Sequence, residues 1–148
     1  MKFEDLICPE CIKILSGKRK NEVLAELVDL LVELYNLNDG NRLREAIFHR
    51  EKLMSTGIGL GIAIPHIRIE GVKEPLIAIA VCRDGIPDYE SIDNQTVKIV
   101  IMIIAGKEQH KEYITLLSQI VSKLKKDDVR EKILSAENPE EILQVIRM

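Results

Sequence analysis

Val97-Lys98-Ile99-Val100-Ile101-Met102-Ile103-Ile104-Ala105 is apolar at every position except Lys98. A strand with one wet face alternates polar and apolar residues, whereas an uninterrupted, β-branched run is covered on both faces. Leu76 to Cys82 has the same character. Two such strands predict a central sheet with helices above and below it. Between them, Asp84-Gly85-Ile86-Pro87 and Ile92-Asp93-Asn94-Gln95 carry turn chemistry.

The flanking segments supply the covering helices. Lys18 to Leu34 has apolar residues at 23, 24, 27, 28, 30, 31 and 34, the helical period, with Lys20, Glu22, Glu26 and Asp29 left for the wet side. Asn36 to Gly40 breaks that pattern. A second helix is predicted from about Asn41 to Lys52, with Leu43, Ala46, Ile47 and Arg50 on one stripe and His49 roughly 100° round from Arg50. Arg50 therefore lies on the inward face, either as a snorkelling helix-end residue or as a functional guanidinium. Ile114, Leu117, Val121 and Leu124 mark one face of a long helix, and Asp128 with Glu131 is a candidate cap for the next. Asn138, Pro139 and Glu141 start the last helix as N-cap, first position and third. Ile12 to Leu15 is a short strand candidate, and the polar patch Arg68 to Glu74 reads as a loop.

At 148 residues the chain fits one domain, 1–148, able to bury roughly 70% of its unfolded surface without staples. A net charge of −3 with interspersed signs gives no basic stripe for nucleic acid, and the absence of tryptophan leaves few stacking platforms. The first residues form no signal peptide, and no run approaches a membrane span, so a cytoplasmic location without membrane insertion is expected. Three cysteines are too few for a disulfide scaffold. Cys8-Pro9-Glu10-Cys11 is a CxxC, but an apolar run follows it where a thioredoxin-type site has the strand first, and only Cys82 and three scattered histidines are left as further ligands. No metal and no cofactor are expected.

Ser55-Thr56-Gly57-Ile58-Gly59-Leu60-Gly61-Ile62-Ala63-Ile64-Pro65-His66 carries the chemistry. Its glycines satisfy neither GxGxxG nor GxxxxGK[ST], so both nucleotide motifs are excluded, and a plain tight loop stays open as a reading. Proline cannot donate to a sheet ladder, so the strand Ile62 to Ile64 is predicted to end at Pro65 and hold His66 at the sheet edge. Backbone amides of Gly57, Gly59 and Gly61 beside that imidazole would make a phosphate cradle next to a nucleophile. With an unperturbed pKa of about 6.5 the ring is neutral roughly three-quarters of the time at pH 7.

This run, with Arg50-Glu51 before it and Ile92-Asp93-Asn94-Gln95 after it, resembles the enzyme IIA domain of the bacterial phosphoenolpyruvate-dependent phosphotransferase system, in its fructose/mannitol and nitrogen-regulatory type. The resemblance runs from about Cys8 to Ile146. It implies an α/β fold of three layers, a central mixed β-sheet with helices on both faces. It also implies that His66 accepts a phosphoryl group from the histidine phosphocarrier protein and passes it to a sugar-specific IIB domain, with Arg50 assisting. The alternative within the same resemblance is a regulatory protein that reports phosphorylation state to a partner protein. Two positions depart from the family pattern. Leu60 stands where asparagine is usual, and Tyr113 stands where a second histidine is usual in the long helix. Tyrosine donates a hydrogen bond but carries no proton charge. His110, one turn earlier, is the candidate substitute, with a solvated helix-start histidine as the other reading.

Overall fold

A computed structural model describes residues 2–148. Its order is β1 (Ile12–Ile14), α1 (Lys20–Tyr35), α2 (Gly40–Leu53), β2 (Gly57–Gly59), β3 (Ile62–Ala63), β4 (His66–Ile69), β5 (Leu76–Ile86), β6 (Val97–Gly106), α3 (His110–Leu124), α4 (Asp127–Ser135) and α5 (Pro139–Arg147), with 3-10 turns at Phe3–Leu6 and Pro9–Cys11. The strands form one mixed sheet in the order β1-β5-β6-β3-β2, and β4 continues beside β6 past the end of β3. β5 and β6 pair antiparallel at its centre, β1 runs parallel to β5, β3 and β4 run parallel to β6, and β2 pairs antiparallel with β3.

The period of two in β5 and β6 divides the interior into two cores. Ile77, Ile79, Val81, Ile99, Ile101 and Ile103 face α3, α4 and α5, while Ala78, Ala80, Val100, Met102 and Ile104 face α1 and α2. The two alanines of β5 are narrow, which lets the leucines of α1 seat close to the sheet: Leu24, Leu27 and Leu31 are wholly buried there. The α/β three-layer architecture expected from the apolar strands is the one observed.

Several local readings shift. The run Arg68 to Glu74 is not all loop, since β4 extends to Ile69 in register with Gly106 before the chain turns. The strand expected to finish at Cys82 runs on to Ile86, so the turn lies beyond the predicted Asp84-Gly85. Along α3 the buried stripe is Tyr113, Leu116, Ile120 and Leu124, one residue round from the predicted face, and Ile114 and Val121 are exposed. The helix has a broad apolar arc, and the sheet takes the side that carries the tyrosine. Asp128 caps nothing; Lys126 stands at the N-cap of α4 without a side-chain bond. Asn138 does cap α5, its Oδ1 accepting from the Glu141 amide at 2.9 Å.

Candidate functional site

Pro65 interrupts the sheet between β3 and β4, and its carbonyl accepts from the Ile103 amide at 3.0 Å. The chain re-enters the ladder at His66, opposite Ile103. His66 is thus the first residue of a strand, at the edge of the sheet and half-buried. Its Nδ1 lies 3.1 Å from the Ile64 carbonyl oxygen and 3.1 Å from the Tyr113 hydroxyl, and the His66 and Tyr113 rings are 4.5 Å apart between centroids at 30°. A carbonyl only accepts, so the Ile64 contact fixes the proton on Nδ1. Nε2 is left with its lone pair. Burial holds the imidazole below its ordinary 6.5; the Ile64 carbonyl pulls partly the other way, and the Arg50 guanidinium lowers it further. The ring is therefore mainly neutral at pH 7.

Arg50 sits in the last turn of α2, where positive charge meets the negative end of the helix dipole. Its Nη1 donates to the Met54 carbonyl at 2.9 Å, which folds the side chain back toward the loop after the helix. Arg50, His66, Arg68, Lys107, Ala46 and Ile67 line one open cleft. Arg68 follows His66 by two residues on β4 and so projects from the same face of the strand. Lys107 is shared with Glu70, 3.3 Å away. The cleft is strongly cationic around one neutral imidazole.

Immediately after Arg50, the carboxylate of Glu51 is buried and fully satisfied. It accepts from the Thr56 amide at 3.2 Å, the Thr56 hydroxyl and the Tyr89 hydroxyl at 3.2 Å, and it pairs with Lys20 Nζ at 2.9 Å. Lys20 Nζ also lies 4.4 Å above the Tyr89 ring. This cluster ties the end of α2 to the start of α1 and to the segment before β6, and holds Arg50's backbone in place. Sequence reading missed it, and put Lys20 on the wet side. The members are scattered from 20 to 89 with no local pattern; the one available signal was a glutamate at the end of the helical stripe beside Arg50.

The three glycines build a hairpin. Leu60 and Gly61 have φ of 59° and 76° between β2 and β3, the consecutive left-handed pair of a type I′ turn. The Leu60 amide donates to Asp93 Oδ2 at 2.9 Å, and the Gly61 carbonyl accepts from the amides of Lys98 and Ile99. Gly57 passes so close to the next segment that a Cβ there would stand 2.2 Å from the Glu90 carbonyl oxygen. Ile62 is opposite Ile99 and His66 opposite Ile103, so the turn lies on the order of 13 Å along the sheet from the imidazole. Gly57, Gly59 and Gly61 are not among the residues lining the His66 cleft. The structure places them in the hairpin and not in a cradle around the ring: Gly59 and Gly61 supply positive φ there, and Gly57 makes room for the Glu90 backbone. Of the two α3 candidates, Tyr113 meets His66, and His110 is an exposed first residue of the helix outside that cleft. Among the described residues, no group of three or more His, Cys, Asp or Glu is set to hold a metal ion.

The sequence and the three-layer fold have known counterparts. The family described as "Phosphoenolpyruvate-dependent sugar phosphotransferase system, EIIA 2" matches residues 5–148. The chain belongs to that family. It is 37% identical over 147 residues to the fructose-specific EIIABC component of Bacillus subtilis, covering 99% of this chain but 23% of that protein. It is 30% identical to the nitrogen regulatory protein of Pseudomonas aeruginosa, over 99% of this chain and 95% of the other. The crystal structure of the nitrogen regulatory protein IIA-Ntr from Neisseria meningitidis superposes with a TM-score of 0.87 at 26% identity, covering 97% of each chain. The protein is thus an EIIA-type domain of the phosphotransferase system, of the sugar-specific or the nitrogen-regulatory kind, and among the described residues no helix is long and apolar enough to cross a membrane.

Proposed function

We propose that the protein is a phosphohistidine carrier, accepting a phosphoryl group on His66 from the histidine phosphocarrier protein and passing it to a sugar-specific IIB domain. The observation that carries this reading is the hydrogen-bond pattern of the ring: Nδ1 is held by the Ile64 carbonyl, and Nε2 is the free nucleophilic nitrogen. In the transfer, the Nε2 lone pair forms a bond to phosphorus in line with the breaking P–N bond of the donor, whose imidazole leaves with the electron pair. His66 gains positive charge as it does so, and the Nδ1–H to Ile64 bond strengthens. The equatorial oxygens meet Arg50 and Arg68, whose guanidinium forks suit a phosphoryl group without a metal. Tyr113 stacks on the ring and fixes its plane. The reverse sequence delivers the group to the acceptor.

A second reading rests on the nitrogen-regulatory comparisons. The nitrogen regulatory protein of Pseudomonas aeruginosa is 30% identical over 147 residues, and the IIA-Ntr structure superposes with a TM-score of 0.87. In this reading the same phosphohistidine reports phosphorylation state to a partner protein and feeds no transport.

Incubation with phosphoenolpyruvate and the two general phosphotransferase proteins, followed by intact mass, tests the shared step. The expected product is one acid-labile phosphoryl adduct, bonded at Nε2 by nuclear magnetic resonance, lost in His66→Ala and kept in His110→Ala. No adduct on the wild-type protein would overturn both readings. Onward transfer to a fructose-type IIB domain separates the first from the second.

A further inference from the structure

The Cys8-Pro9-Glu10-Cys11 motif takes no part in the chemistry of the His66 cleft. Cys8 caps the Pro9–Cys11 turn and Cys11 closes it, and their Sγ atoms lie 2.7 Å apart. Two thiolates on one tetrahedral zinc, with Zn–S of about 2.3 Å, would stand ~3.8 Å apart, so the pair is too close for that geometry. It is near the spacing of a sulfur–sulfur bond, about 2.05 Å. Cys11 is fully buried, with the Tyr35 hydroxyl 3.7 Å from its sulfur, while Cys8 is partly exposed. Cys82, the third cysteine, is buried in the core on the opposite face of the sheet and does not compete for either partner.

We propose that Cys8 and Cys11 are a thiol-modification site, forming a reversible intramolecular disulfide by exchange with a low-molecular-weight disulfide. Cys8, the accessible sulfur, loses its proton and attacks one sulfur of the small disulfide; that S–S bond breaks and the first small thiol leaves with the proton. Cys11 then loses its proton and attacks the Cys8 sulfur, expelling the second small thiol. The protein gives up two electrons and two protons, and the small disulfide is reduced to two thiols. Burial pushes the Cys8 thiol up to about 12. That makes the first attack slow at neutral pH, because the thiolate is the attacking form. The turn lies beside β1, three strand spacings or about 14 Å across the sheet from β4, so the site is separate from the His66 cleft.

The test is intact mass and alkylation mapping after equilibration in oxidised glutathione, a readout independent of phosphoryl transfer. Wild-type protein is expected to lose two hydrogens, to block Cys8 and Cys11 but not Cys82 from alkylation, and to recover with dithiothreitol. Cys11→Ser is expected to trap one glutathione on Cys8, and Cys8→Ser to take none. Should either variant fail to fold, the wild-type map decides alone. Three free thiols at equilibrium, or a disulfide that involves Cys82 or a second chain, would overturn the proposal.

Discussion

The chemistry proposed for His66 comes down to which nitrogen of its imidazole is free. Because Ile64's carbonyl and Tyr113's hydroxyl both address Nδ1, the tautomer is set by backbone that the Pro65 break positions, and not by a carboxylate. Arg50→Ala is expected to lower the rate of phosphoryl acceptance by about 10²-fold, the loss typical of removing one preorganised group from a developing charge. Unfolding free energy is expected to change by less than about 1 kcal/mol, since Arg50 gives up a single bond to Met54. Arg50→Lys keeps the charge without the fork and is expected to recover part of the rate. Rapid-quench kinetics with denaturant melts checks both halves; equal losses of rate and stability would show that Arg50 is structural. Tyr113→Phe keeps the stack on His66 and loses the hydroxyl, so acceptance should drop only about fivefold, the worth of one net hydrogen bond. His66, Arg50 and Tyr113 were each legible in the sequence, from the Pro-His pair, the helical stripe and the family spacing. Arg68 was not, because its meaning depends on β4 resuming after Pro65, and a polar run after a proline reads as loop.

At the scale of elements, two short pieces of the chain carry energetics that can be tested. One is the β2–β3 hairpin, where Leu60 adopts a φ of 59° that costs a β-carbon-bearing residue roughly 1–2 kcal/mol. Leu60→Asn is expected to raise stability by about 1 kcal/mol in a denaturant melt, and Gly57→Ala to lower it, since the Glu90 backbone has no room for a methyl. The glycine pattern was readable as a turn; its distance from His66 was not, because strand register is a tertiary quantity. The other piece is the Glu51 cluster at the end of α2. Glu51→Gln leaves Lys20 facing a neutral amide in a site where its side chain is only 15% exposed. Stripping one partner from a buried pair costs roughly 3–5 kcal/mol. The expected outcome is that stability falls by that order and phosphoryl acceptance falls with it at permissive temperature, because the backbone of Arg50 loosens. A variant as stable as wild type would show that Lys20 finds another partner. For α3 the periodicity gave the helix but not its rotation, since Tyr113 and Ile114 compete for the same interior and the sheet selects between them.

Over the whole molecule, the apolar β5 and β6 made the three-layer arrangement readable, because burial on two faces leaves no other place for helices. What a sequence does not carry is how the fold loads one edge residue with a pH dependence. His66 is half-buried at the start of β4, and burial, with Arg50 adding to it, holds its pKa below 6.5 in the folded state. In the unfolded chain the same ring titrates near 6.5. Above that pH both states are neutral and His66 contributes nothing to the pH dependence. As pH falls through 6.5 the unfolded chain binds the proton first, so stability falls, and this contribution stops changing once pH is below the folded value. The slope from one such group cannot exceed ~1.4 kcal/mol per pH unit. Asp93, held below 3.8 by the amides of Leu60 and Gln95, loses its contribution only in stronger acid, so the two windows separate. Urea melts of wild type and His66→Gln at about pH 7.5 and about pH 5.5 are expected to show a smaller loss on acidification in the variant. The same depressed pKa keeps the ring nucleophilic in mild acid, so phosphoryl acceptance should persist below pH 6.5 and fail with a midpoint under it. Parallel stability losses in the two proteins, with acceptance falling at or above 6.5, would mean that the imidazole is solvated as a free histidine and that the Ile64 and Tyr113 contacts do not hold it.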